Sequence, residues 1–392
     1  MPIRGNPGLT RRAFIERGAA LGGTALLAGC QPPTASAPTA PAPARGDPQS
    51  DEWNRTLEAA RREGSVNLYG GMGPDNRAAL VAPFERAYPG IKVNGTFGAG
   101  RDLVVRISSE RTAGKNIADV LIGPGASGII PLKPIGALLP IVPTLMLPEV
   151  TDTSNWLDNH FWFLDAEEPY TTLGYVGIVQ ASITVNHDVV DPKQFTSMWD
   201  LTDPKWKGKM CASDVRAAGA GSVQTRYWYT HPQLGPPFME KLFGEMDITL
   251  STDGRQLIDW IALGRFPIGV LINSVDIIPA QEQGLPLTLL PGDQAKEGAP
   301  IGVSGGTANL VEGRQNPNAA KIYMNWLLSR DGQMSWQREV KQNSLRVDIP
   351  KDGIPAYTLP KPGVKYVNTA TESYGVLSGT VITDLLNRVL PS

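Results

Sequence analysis

Thiol and imidazole groups are scarce: 392 residues carry two Cys and three His. Two thiols cannot build a disulfide scaffold or a four-thiolate zinc site. His160, His187 and His231 are too scattered for a metal trio, and neither H-E-x-x-H nor C-x-x-C occurs. Charge of one sign is also lacking. Lys+Arg number 36 against 38 Asp+Glu, a formal net charge of −2, so there is no broad cationic field and nucleic acid is not an expected partner. No G-x-x-x-x-G-K-[ST] run exists to cradle ATP phosphates, and Gly71-x-Gly73-x-x-Asn76 lacks the third glycine of a dinucleotide fingerprint. No cofactor is expected. The one clear apolar run, near the N-terminus, has about twelve residues and cannot cross a hydrocarbon core of ~30 Å. What remains is an ordinary globular composition, 41% hydrophobic, in a chain too long for a single core. About two domains are expected.

The first fifty residues differ from the rest. Thr10-Arg11-Arg12-Ala13-Phe14 precedes a weakly apolar run from Gly18 to Leu27, and Leu27-Ala28-Gly29-Cys30 closes it. A positive start, a short apolar stretch and small residues before a cleavage point are the parts of an export signal. Arg11-Arg12 with Phe14 resembles the twin-arginine motif, and Leu27–Cys30 resembles a bacterial lipobox, which implies lipidation of Cys30. Residues 1–29 are therefore read as a signal peptide. Residues 30–50, rich in Pro, Ala, Thr and Ser, read as a flexible tether that cannot bury enough surface to order itself. Removing residues 1–29 takes away Arg4, Arg11, Arg12 and Arg17 but only one acid, Glu16, so 36 against 38 becomes 32 against 37. Cys211 would then be the remaining thiol, in a strand-like run that favours a buried, inert cysteine.

From Trp53 onward the pattern alternates. A helix is expected over 53–63, a strand over 65–69, a helix over 76–88, a strand over 91–97, a helix over 101–113 and a strand over 118–122. Glycine-bearing loops follow the strands. This is the grammar of βαβ units and a parallel sheet. It returns at Lys209–Ala212, in a helix through Tyr229, and at Pro267–Ile272.

Several stretches then carry a family resemblance. Asp200-Leu-Thr-Asp-Pro-Lys-Trp-Lys-Gly-Lys209, Gly264-Arg-Phe-Pro-Ile-Gly269 and the run from Asn316-Pro-Asn-Ala-Ala-Lys321 to Gln333 are joined by Val66–Tyr69, Phe84-Glu85, Gly90–Val93 and Ala118–Val120. Together the chain resembles the solute-binding proteins of bacterial ABC transporters, in the branch that contains the ferric-iron-binding proteins. The resemblance implies an α/β, two-lobed fold of the type II periplasmic binding protein, with a ligand cleft between lobes joined by crossing strands. The crossings are expected near Gly177–Asn186 and Leu285–Gly306. Lobe 1 would span 51–178 plus 303–345, lobe 2 would span 186–290, and 346–392 would pack across both.

In the resembled iron-binding proteins a His in the first strand loop, a Glu after the third strand and two adjacent Tyr hold the metal. Here those places carry Gly71-Met72-Gly73, Gly123-Pro124 and the segment from Asn273-Ser274 to Asp276. A ferric ion wants anionic oxygen donors, so the scaffold carries over and the metal does not; no metal is expected. The loops offer helix starts instead: Gly98–Arg101, Gly125–Gly128 with Ser127, and Arg216–Ser222 with Gly219 and Gly221. Helix N-termini favour carboxylate or phosphate-like groups, and Arg101 and Arg216 are placed to clamp an oxyanion. As solvated helix-start charges they would do nothing of the kind. Asp276 is a candidate for an amine, and Tyr227, Trp228 and Tyr229 either wall an organic body or pack as core.

Gly302-Val-Ser304-Gly-Gly306 satisfies the G-x-S-x-G pattern of serine hydrolases, but all three His precede it. The expected function is binding, without chemistry. The chain reads as a monomeric, exported receptor, lipid-anchored at Cys30 in the periplasm or on the outer face of the cell membrane, that captures a small anionic or zwitterionic organic solute. It would hand that solute to a membrane permease and ATPase. A ferric receptor of the same fold, a secreted hydrolase using Ser304 and a sensor-coupled receptor are the alternatives.

Overall fold

The computed structural model describes residues 51–216, 220–303, 305–361, 363–377 and 379–390. The expectations placed on Arg11-Arg12, the tether and Cys30 lie outside the described residues.

The body opens on α1 (Asp51–Glu63), where Asp51 and Glu52 begin the helix, Arg61 and Arg62 end it, and both pairs complement its dipole. Trp53, Thr56 and Ala60 form its buried stripe. β1 (Ser65–Gly71) follows, then α2 (Pro74–Leu80) and α3 (Ala82–Ala87), where one continuous helix was expected. Pro83 in the first turn of α3 has no N–H to donate, and the helix restarts there. β2 (Lys92–Gly98), α4 (Gly100–Thr112), β3 (Val120–Ile122) and α5 (Ala126–Leu132) complete the alternation. Shorter pieces come next: β4 (Leu138–Leu139), α6 (Pro148–Thr151), β5 (Trp162–Phe163), β6 (Leu173–Gly174) and β7 (Ile178–Val179).

A second α/β block then runs through β8 (Ile183–Asn186), β9 (Met210–Ser213), α7 (Ala220–Thr230), α8 (Gly235–Glu245) and β10 (Thr249–Ser251). It continues with α9 (Gly254–Ala262), β11 (Ile268–Val270), α10 (Ser274–Glu282) and β12 (Leu287–Leu289). The chain returns by β13 (Pro300–Gly302), β14 (Thr307–Val311), α11 (Pro317–Leu328) and α12 (Arg330–Val340). It ends with β15 (Val367–Asn368), α13 (Glu372–Val376) and α14 (Gly379–Val389).

These strands form three sheets. The first runs β2-β1-β3-β14-β6-β5, with β4 also on β14, and the second runs β10-β9-β11-β8-β12. Neither is purely parallel. β1, β2 and β3 pair in parallel, but β14 is antiparallel to β3; β9, β10 and β11 are parallel, but β8 is antiparallel to β11. The returning chain supplies the reversed strand of the first sheet, β14, and the chain entering the second block supplies that of the second, β8. Between them lies a small sheet, β15-β13-β7. Of the two stretches expected to cross, only β7 and β13 lie in this connecting sheet, because β8 and β12 belong to the second. The third crossing strand, β15, was not foreseen.

Buried polar groups explain why particular motif residues stand where they do. Asp119 is fully buried and accepts from the Asn67 N–H (2.7 Å), the Asn316 N–H (3.0 Å) and Asn316 Nδ2 (2.8 Å), tying β1 to the start of α11. Glu63 caps that same helix, accepting from the N–H groups of Asn318 and Ala319 at 3.1 and 2.7 Å. In the second block the buried Glu297 accepts from Ser197 Oγ (2.5 Å) and the Met198 N–H (2.9 Å).

The segment after α12 is pinned by Lys351, whose Nζ donates to the carbonyls of Ser344 (2.8 Å) and Arg346 (2.7 Å). Burial pushes the Lys351 ammonium down to about 8. The unfolded chain therefore keeps this proton to higher pH than the folded one, so this group makes folding more favourable as pH rises from about 8 towards 10. Urea midpoints measured at steps across that window should climb, and Lys351→Met should flatten the climb.

Candidate binding site

The loops expected to hold a ligand sit at the carboxyl ends of β1 and β3. β1 ends at Gly71; Met72 is exposed, and its carbonyl accepts from Asn76 Nδ2 at 2.6 Å. Gly73 precedes α2 at φ 113°. After β3, Gly123 takes φ 114° and its Cα faces the β13–β14 connection so closely that a Cβ there would sit 3.3 Å from the Gly305 carbonyl. A side chain at 123 would therefore be strained by its backbone conformation and tightly placed against that carbonyl. Gly123 and Gly125 donate to Thr307 O and Oγ1, which gathers these loops around the start of β14.

The two arginines have different surroundings. Arg101 is 88% exposed, with Asp102 at 3.6 Å, on an open groove between α4 and α5 that it shares with Ser127. Ser127 Oγ donates to the Pro124 carbonyl at 2.6 Å. Arg216 is already engaged: Nε and Nη2 donate to the two oxygens of Asp214 at 3.0 and 2.9 Å. That fork holds the Asp214 carboxyl below its ordinary range and raises the guanidinium. Gly221 is buried against Val215 and Leu271. Gly219 and the side chains of Ser222, Ser274 and Asp276 lie outside the described residues, as does Ser304. The aromatic trio is core: Tyr227 and Trp228 are buried in the second block, and Tyr229 packs against the same cluster. Tyr227 donates to the Glu297 carbonyl at 3.0 Å.

Asn273 lies elsewhere, on a cavity of about 450 Å³ at the junction of the sheets. Gln180 enters it just after β7 and Gly302 at the end of β13; Gln224 comes from α7, Lys341 from the end of α12 and Tyr357 from the C-terminal segment. Gln224 is held in place, accepting from Ser182 Oγ (2.5 Å) and donating to the Ala181 carbonyl (3.4 Å). In its wall, Gln180 Oε1 and Tyr357 Oη are buried without a hydrogen bond among the described residues. Burial holds the Tyr357 phenol above its usual range, so it is a proton donor at neutral pH. Gln180, Lys341 and Tyr357 carry no sequence motif. They come from segments up to 177 positions apart, and only the chain's path brings them together.

Other chemistry finds little support. Among the described residues no group of three or more His, Cys, Asp or Glu is placed to hold a metal ion. Ser304 is preceded by β13 and followed by β14, whereas a nucleophile elbow leads from strand to helix. Cys211 is fully buried and its thiol is pushed up to about 12 by burial, so it is not a poised nucleophile.

A family model described as bacterial extracellular solute-binding protein matches residues 66–339, more than half of the chain. The chain belongs to that family. Solved structures with which this solute-binding protein shares its fold include iron-bound HitA from Pseudomonas aeruginosa, at 18% identity over 83% of this chain and 99% of that one, with a TM-score of 0.56. IdiA (FutA) of Trichodesmium, in complex with iron and citrate, matches at 20% identity, 83% and 99% coverage and a TM-score of 0.60. AfuA from Actinobacillus pleuropneumoniae, with fructose-6-phosphate bound, matches at 17% identity, 83% and 97% coverage and a TM-score of 0.54. The solute-binding protein is thus a two-lobed α/β receptor of the periplasmic-binding-protein type. Its family is one of extracellular solute-binding proteins, the receptors of ABC importers. Among the described residues no helix is long and apolar enough to cross a membrane.

Proposed function

We propose that this receptor captures a small organic solute, anionic or zwitterionic, and delivers it to an ABC permease after its lobes close around it. The observation that carries the reading is the cavity of about 450 Å³ at the lobe junction, walled by amides, a phenol, one lysine and aliphatic side chains. Its size suits a small molecule. Neutral hydrogen-bonding groups and a single cation suit an organic body better than a hard trivalent ion, which needs several anionic oxygens. The lobes are taken as 51–178 plus 303–345 and 186–290, with 346–392 across both. Closure about the connecting sheet would bring the Gly71–Gly73 and Ser127 loops toward Arg216, Gly219–Ser222 and Asn273–Asp276, so that solute favours the closed form. Export by the twin-arginine route and a lipid anchor at Cys30 belong to the same proposal, as does action as a monomer.

The likeness to iron-bound proteins supports the ferric alternative at the level of fold. Mass spectrometry separates the two readings. The protein recovered after export and kept under native conditions should release an organic species on denaturation. Release of iron alone would favour the ferric receptor.

A further inference from the structure

We infer that the junction cavity takes a small monoanionic solute carrying at least one hydroxyl, with Lys341 holding the anionic group while Gln180 and Tyr357 read the polar body. This rests on the receptor reading above and narrows its solute class.

Charge comes first. Among the described residues that line the cavity, Lys341 is the one with a formal charge, and no carboxylate is among them. A cationic solute would meet like charge and no partner; a monoanion is matched one for one. A dianion would keep an uncompensated charge, which is costly as water is excluded on closure.

Backbone conformation points to the same residue. Lys341 ends α12 in the left-handed region, at φ 58° and ψ 33°. That conformation is unfavourable for an L-residue, and glycine is the residue that ordinarily occupies it at a helix end. Lys341 holds that conformation at the cavity wall as an exposed residue, so its ammonium is accessible to a solute.

Unmet hydrogen bonds supply the third line. Gln180 Oε1 is a buried acceptor and Tyr357 Oη a buried hydroxyl, neither with a partner among the described residues. A buried polar atom left unpaired carries an uncompensated desolvation cost. A solute hydroxyl donating to Gln180, and a solute oxygen accepting from Tyr357, would recover that cost on binding. Ile178, Ile272, Ile278 and Leu289 leave apolar walls for the carbon skeleton.

The test uses the full chain and two sets of matched probes: glucuronate, glucose and glucosamine, and glycerate, glycerol and serinol. Each set varies charge on a nearly constant skeleton. Unfolding midpoints and dissociation constants are measured for the natural protein, Lys341→Gly and Gln180→Leu. An anionic member should raise the midpoint, while its neutral and amine counterparts leave it unchanged. Lys341→Gly, which relieves the left-handed strain, should unfold at or above the natural midpoint yet bind the anion at least about tenfold more weakly, the loss expected for a charge-assisted hydrogen bond. Gln180→Leu should lose affinity comparably. Equal binding of a neutral or amine probe, unchanged affinity in Lys341→Gly, or no midpoint shift from any of the six probes would overturn the inference. Binding of glucose or glucosamine in place of glucuronate would defeat the charge assignment and leave the receptor reading intact. Stabilisation by ferric ion with no organic probe bound would defeat both.

Discussion

Replacing Arg346 with methionine should lower the unfolding midpoint by roughly 5–10 °C, from a loss of about 3–5 kcal/mol. Arg346 is fully buried, yet every arm of its guanidinium is used. Nε and Nη2 each donate to an oxygen of Asp348 at 2.8 Å, Nη1 donates to the carbonyls of Leu328 (2.9 Å) and Glu149 (3.2 Å), and Nη2 also reaches Glu149 Oε2 at 3.3 Å. The guanidinium stands 5.6 Å over the Trp156 ring. Burial alone would raise the Asp348 carboxyl; the hydrogen bonds and charge of Arg346 outweigh it and hold that carboxyl below its ordinary range. Methionine keeps much of the volume but leaves two carboxylates facing each other beside unsatisfied carbonyls. Arg346→Lys should fall between the two, since an ammonium keeps the charge and loses the fork. A calorimetric midpoint within about 2 °C of the natural protein would contradict the account. The effect should reach the cavity as well. Arg346 clamps the chain to α6 and to the end of α11 between Lys341 and Tyr357, two of the cavity's own wall residues.

Gly302→Leu should abolish solute binding while leaving the fold intact. Gly302 ends β13 opposite Ile178, in a conformation open to any residue. A Cβ there would lie 2.7 Å from Gln180 Nε2, the free end of a flexible side chain, so the amide can move aside. The rest of the leucine then occupies the cavity. A solute at 100 times its dissociation constant stabilises the natural protein by about 2.7 kcal/mol; in Gly302→Leu that gain should vanish. A retained ligand-induced shift would place the solute elsewhere. Gly292→Ala makes the contrast, because its Cβ would meet the Gln180 carbonyl oxygen at 2.1 Å and backbone cannot step aside. That variant should lose stability as well as binding.

The sequence shows the scaffold more fully than the site. Strand, glycine loop and helix follow one another visibly from Ser65 to Leu132, because apolar period and turn residues are local signals. Asp119 and Glu63 look like ordinary surface acids in sequence; only the folded chain shows them capping and tying α11. The break between α2 and α3 was legible in Pro83. The pairing of Arg216 with Asp214, two residues earlier, was also open to inspection. The trio Tyr227–Tyr229 could not have faced one cleft, since consecutive helical residues point about 100° apart. Gln180, Lys341 and Tyr357 carried no such signal: an amide after a two-residue strand, a helix-ending lysine and a tyrosine in a proline-rich stretch meet through tertiary path alone. β15 escaped notice for a related reason. Two residues, Val367 and Asn368, are too few to show a period, and their pairing with β13 joins positions 67 apart.

The central claim is that this two-lobed receptor carries an organic solute, on a scaffold shared with iron-binding proteins. The unfolding midpoint of the purified protein, read against ferric ion and against small organic anions in parallel, tests it most directly. A rise with at least one organic anion and none with ferric ion alone is the predicted result. A rise with ferric ion alone, and none with any organic anion, would contradict it.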